Sequence, residues 1–237
     1  ARVLRMQPGD NIILLNNSGS EWLVQLNQVS KRIVTATVLE KRPNLAEPQT
    51  HLTLYLALLK KDNFELVLQK GTELGVSRFV PLVTRRTVVK AVKPNRWPRW
   101  ERILTEAAEQ CGRGLIPELD DLHTFEDALA QKTADLTLIP YTKEQTTPLH
   151  QHLATNPKTI AHIVGPAGGR APPEKAPAQA PHTNPQTIAL FVGPEGGWHP
   201  DEIEQAKAAN THPITLGPRI LRAETAAILA PALILLR

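Results

Sequence analysis

Cysteine is nearly absent: Cys111 stands alone in 237 residues. That excludes an internal disulfide framework and a zinc site built on CxxC pairs, and it fits a reducing cytosol. Aromatic residues make up 4% of the chain, which argues against a surface of stacking rings of the kind that reads unpaired RNA. Long apolar runs are missing as well. The longest, Ala226 to Leu236, is interrupted by Pro231 and falls short of the roughly 20 residues a membrane-spanning helix needs. The N-terminal ARVLRMQPGD has no apolar core of a signal peptide. The chain opens on Ala1 directly in strand-like sequence, and some residues ahead of it are expected. There is no Walker-type phosphate loop, no GxGxxG and no GxSxG. The eight histidines show neither HxxxH nor HExxH spacing, and His150 and His152 read as loop residues, so no metal site is expected.

What the chain does have is ordinary globular material. Hydrophobic residues are 41% and charged residues 21%, and the formal net charge is +4. This is enough to bury a core. The mild positive balance permits a polyanionic partner without demanding one.

The patterning changes once along the chain. In residues 1–47, Asn11–Leu15, Glu21–Leu26 and Ile33–Leu39 read as short strands, with a turn at Asn16 to Ser20. This is a small all-β module, expected as a barrel, and a Pro-containing linker from Arg42 to Pro48 closes it. From residue 51 to 237 strands and helices alternate, which predicts an α/β domain with a largely parallel sheet. Strands are expected at His51–Leu59, Val76–Val83, Leu136–Ile139, Thr187–Val192 and Ile214–Leu216. A helix after Asp62 carries a candidate capping box, Asp62 with Glu65, and a C-terminal Gly75. The clearest helix runs from Asn95 to Cys111, with Trp100, Ile103, Leu104, Ala107, Ala108 and Cys111 on one face. Cys111 is thus a core residue rather than a nucleophile. Two more helices are expected at about Asp201–Ala209 and Ala223–Leu236. The second is apolar nearly all round, so it is buried in the core or in a subunit interface. Residues from about 165 to 186 are Pro/Ala-rich without periodicity and read as a surface insertion. Within it, Ile163 to Gly169 echoes Phe191 to Gly197, by local duplication or by chance.

Three constellations could carry chemistry. In the first, the apolar strand ending at Val192 enters Gly193-Pro194-Glu195-Gly196-Gly197-Trp198 and then a helix start at Pro200. Glycines let a backbone approach a ligand closely, and ligands in open α/β sheets bind beyond the carboxyl ends of strands. Glu195 would repel a phosphate, so a neutral or cationic small molecule fits better. A tight turn with no ligand explains the same loop equally well. In the second, Thr215-Leu216-Gly217-Pro218 leads through Arg219-Ile220-Leu221-Arg222 into Ala223-Glu224-Thr225-Ala226. These two loops could wall a single pocket, although each charged residue taken alone suits a solvated helix start. The third is basic. Lys60 and Lys61, then Arg85, Arg86, Lys90 and Lys93, then Arg113 all fall near element ends. Solvated surface is the plain reading of any one of them, and their repetition raises a nucleic-acid reading.

Taken together, Gly193-Pro194-Glu195-Gly196-Gly197 and Leu216-Gly217-Pro218-Arg219-Ile220-Leu221-Arg222-x-Glu224-Thr225-Ala226 resemble the RsmE family of ribosomal RNA methyltransferases, members of the SPOUT (trefoil-knot) superfamily. Gln69-Lys70-x-Thr72-Glu73-Leu74-Gly75-Val76 and Glu106-Ala107-Ala108-Glu109-Gln110-Cys111-Gly112-Arg113 look like two further family blocks. Val3-Leu4-Arg5 and Pro8-Gly9-Asp10 look like the family's PUA-like N-terminal domain, whose usual first strands are missing here. Ala223 and Trp198 depart from the residues expected in the family, Thr and Phe, and the 165–186 insertion is unusual.

The resemblance implies a small RNA-binding β-barrel (1–47) followed by a SPOUT methyltransferase domain (51–237) with a trefoil knot. It implies S-adenosylmethionine as cofactor, and N3 of one uridine in 16S ribosomal RNA, free or in the small ribosomal subunit, as target. It further implies a cytoplasmic homodimer, with no membrane and no metal. Carried over, the cofactor lies among Ile139-Pro140-Tyr141, Gly193 to Gly197 (with Pro194, Glu195 and Gly196), and Leu216, Gly217, Ile220, Leu221 and Arg222. Arg222 is the candidate to orient the base or stabilise its charge. Glu224 is the candidate proton acceptor, or the residue that holds Arg222. Arg2, Arg5, Lys60, Lys61, Arg86 and Arg113 are candidate RNA contacts. A non-catalytic RNA-binding or ribosome-assembly protein on the same scaffold is the alternative, and an unrelated nucleotide-binding enzyme a distant third. The alternative expects eroded glycine or arginine in the two loops, and both loops are intact.

Overall fold

The computed structural model describes residues 6–30, 32–144, 147–153 and 187–236. Strands β1 (Asn11–Leu15), β2 (Ser20–Val29) and β3 (Val34–Pro43) form an antiparallel sheet in that order. The β1–β2 turn places Asn17 at φ 59° and Gly19 at φ 71°, a left-handed region that Asn and Gly tolerate best. Val24 and Leu26 of β2 are buried, while β3 is exposed along its whole length.

The remaining elements are β4 (His51–Ala57), α1 (Asn63–Leu74), β5 (Arg78–Val83), α2 (Trp97–Cys111, entered through a 3-10 turn at Pro94–Arg96), β6 (Glu118–Leu119), β7 (His123–Thr124), α3 (Phe125–Gln131), β8 (Leu136–Pro140), α4 (Leu149–Leu153), β9 (Thr187–Val192), α5 (Pro200–Ala208), β10 (His212–Ile214) and α6 (Ala223–Leu235). The strands pair in parallel in the order β10-β8-β9-β4-β5-β6, and β7 also pairs with β5. Both faces of this sheet are covered, so its central strands are buried residue after residue. Alternate residues serve opposite cores. Leu52, Leu54 and Leu56 of β4 join Ile188, Leu190 and Val192 of β9 under α1, α2 and α6. Tyr55 and Phe191, stacked with ring centroids 4.3 Å apart, face the other way with Phe125 of α3 and Ile203 and Ala206 of α5.

The elements that close on glycine end as their sequence requires. Gly75 (φ 100°) and Gly112 (φ 76°) adopt the left-handed cap, and each helix end is sealed by paired backbone bonds, Val76 N–H to Gly71 O and Arg113 N–H to Ala108 O among them. The capping box expected at Asp62 and Glu65 does not form. Asp62 makes no side-chain cap bond, and Glu65 is buried with its carboxylate held by Arg99 of α2 at 2.6 Å and by Arg96 of the preceding turn at 3.6 Å. The last strand ends at Ile214, two residues before the expected boundary. Helices α3 and α4 were not expected from periodicity, being one to two turns each. The Pro/Ala-rich stretch 165–186 lies outside the described residues.

Arg113 joins the linker to the α/β core. Its side chain is 3% exposed and donates to the carbonyls of Thr72 (3.1 Å) and Val76 (2.7 Å) and to the Glu47 carboxylate (2.8 Å). Around it, Gly19 N–H donates to Gly114 O, Asn44 Nδ2 to Gly112 O, and Ile116 N–H to Asn17 Oδ1. A Cβ on Gly114 would lie 2.7 Å from Asn44 Cβ, so this contact between the two sheets needs glycine.

Two stability predictions follow from these contacts. A Cβ on Gly71 would sit 2.8 Å from the Phe79 ring. Gly71→Ala should therefore cost about 1–3 kcal/mol by overpacking, read as a lower urea midpoint; an unchanged midpoint would mean that the ring yields freely. Arg113→Ala removes the buried guanidinium from Glu47, which keeps only Leu115 N–H among the described residues, and from the carbonyls of Thr72 and Val76. It should cost about 3–5 kcal/mol in the same assay, and a loss within ordinary surface variation would contradict the joint described here.

Candidate functional site

Strand β9 is the last long strand to enter the sheet, and it lies between β4 and β8. The loop that leaves it is consequently flanked by the loops after those two strands, and it bonds to both. Glu195 Oε1 accepts the backbone N–H of Lys60, just past β4, at 2.9 Å. Trp198 Nε1 donates to the carbonyl of Pro140, the last residue of β8, at 3.2 Å. Trp198 is 4% exposed and packs its ring against Phe125. A Cβ at Gly193 would meet that indole at 2.9 Å, so Gly193 is glycine because Trp198 is buried beneath it. Gly197 turns the chain at φ 67°, with its N–H on Pro194 O at 2.8 Å.

The helix that follows is fixed by a buried carboxylate. Glu202 is fully buried; it accepts the N–H of His199 at 2.7 Å and the N–H of Arg85, just past β5, at 2.9 Å. The first bond completes a capping box with His199 as N-cap. Arg85 also pairs with Asp201, and Arg86 Nη1 donates to Gly196 O at 3.1 Å. The post-β5 loop is thus tied to the post-β9 loop at three points. The helix expected at about Asp201–Ala209 came with no role for Glu202, and Trp198 entered only as a loop residue that departs from the family. The signal that could have placed Glu202 was its three-residue spacing from His199.

The third loop follows β10. Tyr141 N–H donates to Ile214 O at 3.0 Å, which joins the ends of β8 and β10. Thr215 Oγ1 accepts the N–H of Gly217 at 3.2 Å, and Gly217 sits at φ 110° with open space where a Cβ would stand. Gly217 to Ile220 are exposed, and Leu216 is half-buried. Ile139 points into the core and is 0% exposed, so only its backbone is available to a ligand. Arg222 is the N-cap residue of α6, exposed, with no side-chain cap bond. Glu224 is half-buried in the first turn. Among the described residues neither side chain forms an ion pair or hydrogen bond, so Glu224 does not hold Arg222 here.

The one carboxylate in the post-β9 loop is spent on Lys60 N–H. The backbone N–H groups of Arg219, Ile220 and Leu221 have no partner among the described residues, which leaves donors for a heterocycle edge. Gly197 and Gly217 leave open space at the two turns.

The basic residues divide. Lys60 and Lys61 are exposed beside Glu195, with Lys61 at φ 56°. Arg86 is exposed and anchored on Gly196 O. Arg113 does not belong with them. Its guanidinium is buried and fully engaged with Glu47, Thr72 and Val76, and it cannot reach a phosphate without breaking that joint. Arg2 and Arg5 lie outside the described residues. Among the described residues no helix is long and apolar enough to cross a membrane, and no group of His, Cys, Asp and Glu is arranged to hold a metal.

Comparison with known proteins matches this geometry to a family. The RNA methyltransferase domain model matches residues 46–185 and 173–235, and the RNA methyltransferase PUA domain model matches residues 1–39. A ribosomal RNA small subunit methyltransferase E from Synechocystis is 37% identical over 173 residues, 71% of this chain and 56% of that protein. The Bacillus subtilis protein of the same name is 38% identical over 54% of this chain and 51% of its own length. The chain therefore spans little more than half of these two relatives. The Rickettsia conorii protein of that name is 30% identical over 97% of this chain and 82% of its own length. Among solved structures, the Neisseria gonorrhoeae ribosomal RNA small subunit methyltransferase E bound to S-adenosyl methionine superposes with a TM-score of 0.76 at 30% identity, covering 98% of this chain and 85% of that one. The chain belongs to the ribosomal RNA small subunit methyltransferase E family, with a PUA-type segment preceding its RNA methyltransferase domain.

Proposed function

We propose that this protein transfers a methyl group from S-adenosylmethionine to N3 of a uridine in 16S ribosomal RNA, acting as a cytoplasmic homodimer on the free RNA or on the small ribosomal subunit. The observation that carries the reading is the convergence of three strand-end loops, after β8, β9 and β10, at one edge of the sheet, with the glycines of the last two intact. The Neisseria gonorrhoeae relative, bound to S-adenosyl methionine, supports the same cofactor.

S-adenosylmethionine, when bound, supplies an electrophilic methyl carbon on a sulfonium. In this reading the backbone around Ile139 to Tyr141, Gly193 to Gly197 and Leu216 to Leu221 holds it, and the segment through these loops is threaded as the family's trefoil knot. The protein's part in the reaction is then positioning and charge. Attack by N3 is a direct displacement, so alignment of the base with the acceptor line supplies much of the rate. N3 must lose its proton, and the negative charge that develops spreads onto the uracil carbonyl oxygens. Arg222, exposed and unpaired beside the post-β10 loop, is the group that would meet that charge. Glu224, two residues on, is the candidate to accept the proton. The base must leave its stacked surroundings to arrive there, and Lys60, Lys61 and Arg86 would hold the phosphates around it. Helix α6 buries Ala227, Ala230, Pro231 and Ile234 within the chain and leaves Leu233 and Leu236 about half exposed. That apolar remainder is the surface a second copy would cover.

Arg222→Ala should abolish methyl transfer to 16S ribosomal RNA while calorimetric titration shows cofactor affinity within about tenfold of the original, a change under ~1.4 kcal/mol. Normal turnover of the variant would overturn the role given to Arg222. The phosphate contacts predict that RNA affinity falls steeply with salt. Replacing Lys60 and Lys61 together by alanine should flatten the log–log slope by about 2, measured by filter binding between low and physiological salt. An unchanged slope would remove both lysines from the interface.

A further inference from the structure

A cavity of about 410 Å³ opens between the residues that follow β4, the segment 89–95 and the N-terminal turn of α2. It is of the size that takes one nucleotide. None of the three candidate cofactor loops lines it. Its apolar wall is built from Leu58, Phe64, Val89 and Trp100, and the Phe64 and Trp100 rings lie 4.4 Å apart. Trp100 is 2% exposed, and its indole N–H has no hydrogen-bond partner among the described residues. That nitrogen is sealed from solvent, so the cavity meets the ring and not its N–H.

The polar side of the cavity is cationic. Lys61, Lys93, Arg96 and Arg99 line it against the carboxylates of Asp62 and Glu65. Arg96 and Arg99 share the single Glu65 carboxylate, so positive charge is left over. The first-turn N–H groups of α1 also lack a side-chain cap, and a helix N-terminus favours an anion. The cavity lies beside the candidate cofactor site. Its wall residues Leu59 and Lys61 flank Lys60, whose N–H is bound to Glu195, and its wall residue Val89 lies three positions past Arg86, which is bound to Gly196 O.

We propose that this cavity is a nucleotide subsite for the RNA substrate. It takes a base that neighbours the reacting uridine, with the base against the apolar wall of Leu58, Phe64, Val89 and Trp100 and its phosphate among Lys61, Lys93, Arg96 and Arg99. The neighbour rather than the reacting base is assigned because the cofactor loops are absent from the lining. The assignment of the nucleotide to an RNA substrate rests on the methyltransferase reading; nucleotide binding by the cavity does not.

The test uses the full chain and uridine 5′-monophosphate as the probe. Ala91 lines the cavity from an exposed position, so Ala91→Trp fills the space without disturbing the core. Lys93→Ala, also exposed, removes charge with even less structural risk. By calorimetric titration the unaltered protein should bind the monophosphate saturably. Both variants should bind it at least tenfold more weakly, and both should keep their S-adenosylmethionine affinity within twofold. With 16S ribosomal RNA, both should raise KM at least tenfold while keeping turnover at saturating RNA. Monophosphate binding that is undetectable, that equals inorganic phosphate binding, or that is unaffected in both variants would overturn the subsite. A loss of cofactor affinity in parallel would overturn it too, because the cavity would then be part of the cofactor site. An absence of methyl transfer by the unaltered protein would sink the methyltransferase reading while the monophosphate titration still decides the cavity.

Discussion

The arrangement of the carboxyl edge depends on β9 pairing along both of its sides. Its register runs His51–Thr187 to Leu56–Val192 against β4, and Leu136–Ile188 to Leu138–Leu190 against β8. Shifting β9 by one residue would exchange Ile188, Leu190 and Val192 with Ala189 and Phe191, and so exchange the contents of the two cores. Because that exchange is so costly, the strand must end at Val192, and Gly193 must fall where Trp198 folds back. The bond from Glu195 to Lys60 and the bond from Trp198 to Pro140 are consequences of that placement. A loop held from both sides in this way needs little further ordering when a ligand arrives, which is the economy that preorganised sites exploit.

Two carboxylates illustrate what a sequence pattern conveys and what it hides. Glu195 stood out as an acidic residue in a glycine loop and was read as one that would repel a phosphate. What it hid was the partner. Lys60 N–H is 135 residues away in sequence, and no local pattern reports a bond that the sheet order creates. Glu202 is the same case in a buried setting. Its bond to His199 N–H is local and readable as spacing, while its bond to Arg85 N–H exists only because β5 ends and α5 begins at the same edge. The reverse happened at Asp62 and Glu65. There the local spacing read as a capping box, and a tertiary contact overrode it, since Arg96 ahead of α2 and Arg99 within it offer Glu65 full opposite charges where a cap offers one backbone N–H.

The alternation of strands and helices, the helix ends at Gly75 and Gly112, and the two loop positions of the candidate site were all legible, because each rests on period or on glycine. Helix α3 was not, although Thr124 caps it by accepting the N–H of Asp127. Seven residues do not display a helical period. The family resemblance, carried on four blocks of sequence, added the cofactor and the substrate class, which periodicity could never supply. The charge pattern swept in Arg113, because a cation near an element end in sequence does not say what it touches. Burial decides that: a guanidinium 3% exposed, with two carbonyls and a carboxylate on it, is a structural bolt.

Once Arg113 is set aside, the remaining cations of the edge form a connected band. Lys60 and Lys61 lie past β4, Arg85, Arg86 and Lys90 past β5, Lys93 and Arg96 ahead of α2, and Arg99 in its first turn. Some of them are committed to protein: Arg85 to Asp201, Lys90 to the carbonyls of Thr84 and Arg85, and Arg96 and Arg99 to Glu65. Those bonds fix the directions of the side chains without neutralising the band, because Asp201 and Glu65 supply fewer charges than the arginines and lysines carry. A chain with a formal charge of only +4 thus concentrates positive potential at the one edge where its strand-end loops converge. Concentration of charge at an edge, rather than total charge, is what orients a polyanion as it approaches. A polyanion drawn to this band meets the cavity beneath Lys61 and Lys93 beside a post-β9 loop that is already held in place by its bonds to Lys60 and Pro140.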